Sequence, residues 1–233
     1  MSSPGAALCY QTICNEGRAF LGREYDHPEV SVHGYPFSEY VARIRRGDWS
    51  GVAQLLASSA RKLASIGADF AICPDNTVHI AFDEAVRESP IPWLHIAEEV
   101  AREAKRRGFK RLAILGTKYL MESDVYPSML KRHGIEWVIP NEGEREEVDR
   151  VIFRELVYGV VKDSSRRRLV EIVGRMARED GCDAVVLGCT ELPLIIGSAT
   201  PPIPALDSTR ILARAALRRA VGLEQGEPAT LTC

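Results

Sequence analysis

Short apolar runs alternate with longer amphipathic stretches along nearly the whole chain. The runs have the composition of buried strands, and the stretches carry apolar residues at helical spacing. We predict strands over Val30–Val32, Ala68–Cys73, Pro92–His95, Leu112–Leu115, Glu136–Ile139, Ala184–Leu187 and Ile203–Ala205. We predict helices over Ala6–Ile13, Ser50–Ser65, Ile96–Arg107, Met121–His133, Arg145–Gly159, Arg166–Glu179 and Ser208–Val221. Strands that alternate with helices predict an α/β fold with mostly parallel sheets flanked by helices.

One local pattern occurs twice. Residues 67–77 (GADFAICPDNT) and residues 181–191 (GCDAVVLGCTE) each read as a glycine, a buried strand and a turn, with Asp75 and Cys189 at equivalent positions. Ligands in open α/β sheets bind beyond the carboxyl ends of strands, so these two side chains are candidates for an acid/base pair. The repeat predicts two pseudo-symmetric halves, residues 1–95 with 208–233 and residues 96–207, with the active site between them.

The repeat also predicts a missing element. The second half begins with the strand Leu112–Leu115 and the turn Gly116–Lys118, whereas the first half begins at Met1, where the equivalent turn is expected. We therefore expect the first half to lack its first strand, which leaves a sheet edge exposed. An N-terminal extension of about ten residues, a usual strand plus turn, is expected to raise both stability and activity.

Composition excludes several functional classes. The formal net charge is -2, and each arginine-rich run has acidic neighbours, so we predict no nucleic-acid partner. No basic segment leads into a long apolar run, which predicts a cytoplasmic protein without a membrane partner. The six cysteines form no CxxC pair, so we predict no disulfide scaffold and no metal site. No GxGxxG or Walker sequence is present, and we expect no cofactor.

The two candidate bases differ in chemistry. Cys189 lies at a predicted helix start, where a thiol ionises more readily than usual. Asp75 precedes Asn76 and Thr77, and an aspartate in that position is also an ordinary helix N-cap. Reference pKa values of about 3.9 for Asp and about 8.5 for Cys make carboxylate plus thiol the resting pair, and the reverse state lies uphill by roughly 6 kcal/mol unless the site narrows the gap. Without such narrowing, proton transfer is expected to be faster in one direction than in the other.

Backbone N–H groups at helix starts stabilise negative charge on a bound ligand. Candidate substrate-binding residues at such positions are Asn76, Thr77, Thr117, Thr190 and Glu191. Weaker candidates are His79 as a partner of Asp75, Cys73 as an alternative base, Asp207–Thr209 as a cap that touches ligand, and Arg210 or Lys118 as partners of a second carboxylate.

The motifs GCTELPL (188–194), DNTVH (75–79), LGT (115–117) with Met121-Glu122, Pro140 and LDST (206–209) together resemble the aspartate/glutamate racemase superfamily. The segment DHPEV (26–30), with Gly47-Asp48-Trp49 after it, is similar to the aspartate racemase branch. The resemblance implies a cofactor-independent enzyme of two α/β halves, usually a homodimer, that uses two cysteines on opposite faces of an amino acid. The second cysteine corresponds to Cys189, whereas Asp75 stands where the family has the first. The chain also begins inside the family's Gly-Gly-Met turn.

We therefore predict an amino-acid racemase, an isomerase acting on aspartate, glutamate or a relative, with Cys189 and Asp75 as the two bases. One alternative is a decarboxylase or isomerase of a small carboxylic acid in which only Cys189 transfers a proton. The other, from a different class, is an inactive homologue that binds a small ligand.

Overall fold

The computed structural model describes residues 3–197 and 201–223. The chain divides into two compact units, Met1–Ile96 with Leu212–Cys233 and Ala97–Ile211. Each unit contains a parallel sheet flanked by helices, which confirms the predicted α/β fold class. No helix among the described residues is both long and apolar enough to cross a membrane.

The second unit is built on four described strands in the order β4-β3-β5-β6, and every pairing is parallel. Their bounds are β3 Arg111–Leu115, β4 Glu136–Val138, β5 Ala184–Leu187 and β6 Ala205–Asp207. The two central strands are almost wholly buried, since β5 is apolar throughout and β3 is apolar after Arg111. This burial on both faces is typical of a parallel strand with helices above and below it.

Helices of this unit are α5 Ile96–Arg107, which starts at the unit boundary, α6 Lys118–Met121, α7 Val125–Arg132, α8 Glu142–Arg154, α9 Asp163–Glu179 and α10 Leu192–Ile196. A short 3-10 turn, Leu156–Tyr158, follows α8. The main core is formed by α8, α9 and α10 against one sheet face, with Val148, Leu169 and Ile195 fully buried in it. Helix α11, Ser208–Ala220, follows β6 and ends in the first unit.

The first unit has two described strands, β1 Ala71–Ile72 and β2 Trp93–Leu94, which pair in parallel. Its other helices are α1 Ser3–Leu21, α2 Phe37–Arg45, α3 Trp49–Ser65 and α4 Phe82–Arg87, with a 3-10 turn over Thr77–Ala81. The two repeats share a hydrogen-bond register. The N–H of Ala71 donates to the carbonyl of Pro92 at 2.9 Å, and the N–H of Val185, the equivalent residue, donates to the carbonyl of Pro204 at 2.9 Å.

The strand predicted over Val30–Val32 is wrong, because this segment has no strand pairing in the structure. By element order its counterpart in the second unit is β4, which pairs with β3 at the edge of the sheet that the structure describes. No strand equivalent to β3 occurs among the described residues of the first unit, so the segment has nothing to pair with. Val32 is accordingly 63% exposed.

Proline positions account for two further corrections. The helix predicted over Met121–His133 is two helices, α6 and α7, because Pro127 lacks the N–H that a continuous helix needs at that point. The strand predicted over Ile203–Ala205 starts later, since Pro204 cannot donate to a sheet and β6 begins after it. The helix predicted over Arg145–Gly159 is α8 followed by the 3-10 turn, and Gly159 ends it with a φ of 73°.

Candidate active site

Cys189 lies one residue beyond Gly188, directly after β5. Gly188 brings the β5 exit against the β3 exit, since its N–H donates to the carbonyl of Leu115 at 2.7 Å. A Cβ at Gly188 would lie 2.7 Å from that oxygen, so only glycine fits there without movement. The carbonyl of Gly188 in turn lies 3.0 Å from where a Cβ of Gly116 would be. The two glycines bring the Cys189 and Thr117 loops close together.

The thiol of Cys189 is half-buried and donates to the Oε2 atom of Glu191 at 2.9 Å. The hydroxyl of Thr190 donates to the same oxygen at 2.8 Å. Both Thr190 and Glu191 are buried, with Glu191 only 2% exposed. The sequence predicts both Thr190 and Glu191 as substrate-binding residues, and in the structure the Glu191 carboxylate accepts from the neighbouring thiol and hydroxyl.

Thr117 caps helix α6. Its Oγ1 atom accepts from the N–H of Leu120 at 3.2 Å, and the N–H of Lys118 donates to Asp149 Oδ1 at 2.7 Å. A threonine hydroxyl can accept one hydrogen bond and donate another at the same time. Thr117 is therefore able to hydrogen-bond a carboxylate while it caps the helix.

The β6 exit carries the residues Asp207–Thr209. Asp207 caps α11 by accepting from the N–H of Arg210 at 3.1 Å, and it also forms an ion pair with the Arg210 guanidinium. The hydroxyl of Ser208 donates to the carbonyl of Leu187 at 2.8 Å and so ties α11 to the end of β5. Arg210 and Lys118 are the predicted partners of a second substrate carboxylate, and each has an acidic neighbour. Arg210 pairs with Asp207, and Lys118 Nζ lies 3.6 Å from Glu146 Oε1.

In the first unit, Asp75 follows β1 and opens the 3-10 turn. Its Oδ1 atom accepts from the N–H of Thr77 at 3.1 Å and from the N–H of Val78 at 3.4 Å. The capping role that the sequence suggested is therefore present. Asn76 and Thr77 lie beside it and are 2% and 8% exposed.

His79 contacts the backbone of Asp75 rather than its carboxylate. Its Nδ1 atom lies 2.7 Å from the Asp75 carbonyl, and its Nε2 atom accepts from the N–H of Ile96 at 3.3 Å. Burial lowers the pKa of His79 to about 4, against the opposing effect of the Asp75 carbonyl. The ring is thus neutral, with its proton on Nδ1, and it joins the Asp75 turn to the start of α5.

Cys73, the alternative base, is buried among apolar groups. Burial, reinforced by the charge of Asp75, raises the pKa of the Cys73 thiol to about 12. A thiol with that pKa holds its proton at neutral pH, which favours Asp75 over Cys73 as the base. Tyr40, on α2, packs in the same cluster, and burial raises its pKa to about 12.

Sequence reasoning missed Tyr40 because it missed α2. The available signal was the spacing of Tyr40 and Ile44, which places two apolar side chains on one helix face after Pro36. Among the described residues, no group of three His, Cys, Asp or Glu side chains could hold a metal ion.

Comparisons with known proteins identify the family of the chain. Residues 1–216 match the model of the Asp/Glu/hydantoin racemase family. A Yersinia pestis protein proposed to be an Asp/Glu racemase has a crystal structure with a TM-score of 0.84 and 31% identity, covering 93% of this chain and 94% of that one. An aspartate racemase homologue from Pyrococcus horikoshii OT3 gives a TM-score of 0.79 and 32% identity, with 94% and 95% covered.

A curated relative from Bacillus subtilis (strain 168), the broad specificity amino-acid racemase RacX, is 26% identical over 194 residues, which is 82% of this chain and 81% of the relative. The family match extends over both repeats and includes the Asp75 and Cys189 turns. From its fold, its repeated strand exits and these similarities, the chain belongs to the Asp/Glu/hydantoin racemase family, and its relatives with racemase names are isomerases.

Proposed function

We propose that the chain is an amino-acid racemase that acts on aspartate, glutamate or a close relative without a cofactor. Asp75 and Cys189 are the two bases of this proposal, and each acts on the same α-carbon. The main support for this proposal is the position of the Cys189 thiol. It lies half-buried at the exit of a fully buried parallel strand and donates a hydrogen bond to the Glu191 carboxylate at 2.9 Å. The family match supports the reaction class.

The resting enzyme holds Asp75 as a carboxylate and Cys189 as a thiol. Asp75 removes the α-proton, so that the substrate C–H bond breaks and an O–H bond forms on the carboxylate. Cys189 delivers its own proton to the opposite face, so that the S–H bond breaks and a new C–H bond forms. A carboxylate has about four lone-pair sites, so an aspartate that accepts from the backbone can also act as a base.

The carbanionic intermediate spreads its charge onto the substrate carboxylate. We assign the side chains of Asn76, Thr77 and Thr117 to hydrogen-bond that carboxylate, together with backbone N–H groups at the helix starts beside them and beside Thr190, whose own hydroxyl donates to Glu191. These side chains are buried to at least nine-tenths of their surface, so their hydrogen bonds act in a medium of low dielectric constant. Loss of one such donor is expected to cost about 10²-fold in turnover.

The experiment that tests this proposal follows deuterium at the α-carbon of each enantiomer of aspartate and glutamate in heavy water. Exchange accompanied by racemisation supports the proposal. A decarboxylated product contradicts it, and so does binding of the amino acid with no exchange.

A second candidate function is a decarboxylase or isomerase of a small carboxylic acid that uses Cys189 alone. The observation that favours it is the capping role of Asp75, which explains this residue without any proton transfer. Replacing Asp75 by asparagine, which also caps helices well, separates the two candidates. The variant keeps full activity under single-thiol chemistry and loses it under two-base chemistry.

A further inference from the structure

The carboxylate of Glu191 differs from the other buried acids of the chain. The described acids with less than 9% exposure are Glu99, Glu144, Glu155 and Glu191. The first three each have an arginine within 4 Å: Arg102, Arg175 and Arg150. Glu191 forms no such ion pair within residues 3–197 and 201–223, and its bonded partners are the Cys189 thiol and the Thr190 hydroxyl.

A buried carboxylate without a cation costs free energy, so its presence calls for a compensating role. Both of its partners donate to one oxygen, Oε2, at 2.9 Å and 2.8 Å. A carboxylate accepts hydrogen bonds and cannot donate, so this geometry fixes the thiol proton on the line between sulfur and oxygen. A thiolate in the same place would face a negative charge at 2.9 Å and would be repelled.

We propose that Glu191 is a positioning residue that holds the Cys189 thiol protonated and oriented, and so sets Cys189 as the proton donor of the resting enzyme. Glu191 acts through Cys189 and does not touch the substrate. The inference deepens the proposed function, because it states which of the two bases carries the proton before substrate binds. It also gives a second reason why the resting enzyme holds Asp75 as a carboxylate and Cys189 as a thiol. The first reason is the difference in intrinsic acidity between the two groups, and the second is the contact with Glu191.

The test is alkylation of Cys189 by iodoacetamide, followed by mass spectrometry of the peptide that contains it. Iodoacetamide reacts with the thiolate, so the rate reports the ionised fraction without any need for racemase activity. Glu191→Gln removes the charge and keeps the shape, and we expect Cys189 in this variant to react about tenfold faster at pH 7. Its rate profile against pH should shift toward lower pH by about one unit. The matched control is Glu171→Gln, a carboxylate on α9 that is 64% exposed, where the rate stays at the wild-type value.

Thr190→Val distinguishes the proposed interaction from a general loosening of the loop. The hydroxyl withdraws charge from the oxygen that binds the thiol, so its removal makes that oxygen a better acceptor. The thiol then holds its proton more firmly and alkylation slows, in the direction opposite to that of Glu191→Gln. A loosened loop would instead accelerate alkylation in both variants.

Faster reaction in Glu191→Gln with slower reaction in Thr190→Val supports the proposal. An unchanged rate in a folded Glu191→Gln variant overturns it, and so does acceleration in both variants. If Glu191→Gln does not fold, the Thr190→Val rate decides alone, since a rate equal to or above wild type overturns the proposal. The α-proton exchange experiment tests the racemase function separately, so the two failures are distinguishable.

Discussion

Asp75 and Cys189 occupy equivalent positions of the repeat but have opposite hydrogen-bonding roles. The Asp75 carboxylate accepts from two backbone N–H groups, whereas the Cys189 thiol donates to a carboxylate. In these contacts the Asp75 carboxylate meets donors and the Cys189 thiol meets an acceptor. This difference is the arrangement that a base and an acid need in the proposed resting enzyme.

Replacement of Cys189 by alanine is expected to abolish racemisation of both enantiomers, because every inversion uses Cys189 either to donate or to accept the proton. The measurement is chiral analysis of the amino acid after incubation in heavy water. The control replaces Cys9, Cys14, Cys182 and Cys233 by alanine together, and this variant should keep near-normal activity if it folds. Cys9 and Cys182 are buried in the structure, and Cys233 lies outside the described residues. Retained racemisation in Cys189→Ala would falsify the assigned role.

Replacement of Asp75 tests the asymmetry of the site. Asp75→Asn should remove proton abstraction from one face only, whereas Asp75→Cys should make the maximal rates for the two enantiomers more alike. Wild-type kcat values should differ between enantiomers, while the equilibrium constant of one keeps their kcat/KM values equal. Initial rates measured by polarimetry from both enantiomers check this. Equal wild-type kcat values that Asp75→Asn leaves unchanged mean that Asp75 is only a helix cap.

At the residue scale, the sequence predicts which residues lie at the carboxyl end of each strand, because the direction of the chain determines which residues follow a strand. Cys189, Thr190 and Glu191 are predicted to lie together for this reason. It does not predict the contact between Glu191 and the thiol, because the direction of that side chain depends on the helical backbone of Glu191, with φ -88° and ψ -22°. The spacing of apolar residues along the chain does not predict those backbone angles.

At the scale of elements, the close approach of the β3 and β5 exits depends on glycine. Gly188→Ala would place a Cβ 2.7 Å from the Leu115 carbonyl oxygen and 2.7 Å from Leu120 Cδ2. Overpacking of this kind costs about 1–3 kcal/mol of unfolding free energy, and here it also displaces Cys189. The control is Gly143→Ala in α8, where the nearest atom to the new Cβ is 3.8 Å away and alanine favours the helix by up to about 1 kcal/mol.

Urea denaturation measures both variants, and the activity assay is run in parallel. We expect Gly188→Ala to lose stability and most of its activity, and Gly143→Ala to keep both. A Gly188→Ala variant as stable and active as wild type would show that the two strand exits have room to separate.

Elements whose pattern is continuous are predicted well. Strand β5 and helix α5 have the predicted bounds, because β5 is an unbroken apolar run and α5 begins where a strand ends. The strand predicted over Val30–Val32 is wrong because an edge strand forms only when a neighbouring strand is there to hydrogen-bond it. The apolar pattern of one segment does not show whether such a neighbour is present. Helix α2 is missed because it is short and its buried face is limited to Tyr40.

At the scale of the whole molecule, His79 makes stability depend on pH. Its folded pKa of about 4 lies below the ordinary value of 6.5, so the unfolded chain takes up the proton first as pH falls. The contribution of His79 is therefore complete above pH 6.5 and is lost progressively between pH 6.5 and pH 4. Between about pH 7 and about pH 5 the loss amounts to about 2 kcal/mol of unfolding free energy.

Urea unfolding at pH 7 and pH 5 measures this loss. His79→Leu should be less stable than wild type at pH 7 and should show a smaller change between the two values. The control is His27→Leu, an exposed position that should keep the wild-type pH dependence. The same pH dependence in His79→Leu and wild type would mean that His79 is not the group responsible.

The central claim is that Asp75 and Cys189 move the α-proton of one substrate from opposite faces. Single-turnover α-proton exchange in heavy water tests it most directly, with each enantiomer of aspartate and glutamate given separately to wild type, Asp75→Asn and Cys189→Ala. The account predicts that wild type incorporates deuterium from both enantiomers with racemisation, that Asp75→Asn fails to abstract from one enantiomer, and that Cys189→Ala yields no inverted product. Full racemisation by Asp75→Asn, or racemisation by Cys189→Ala, would contradict it.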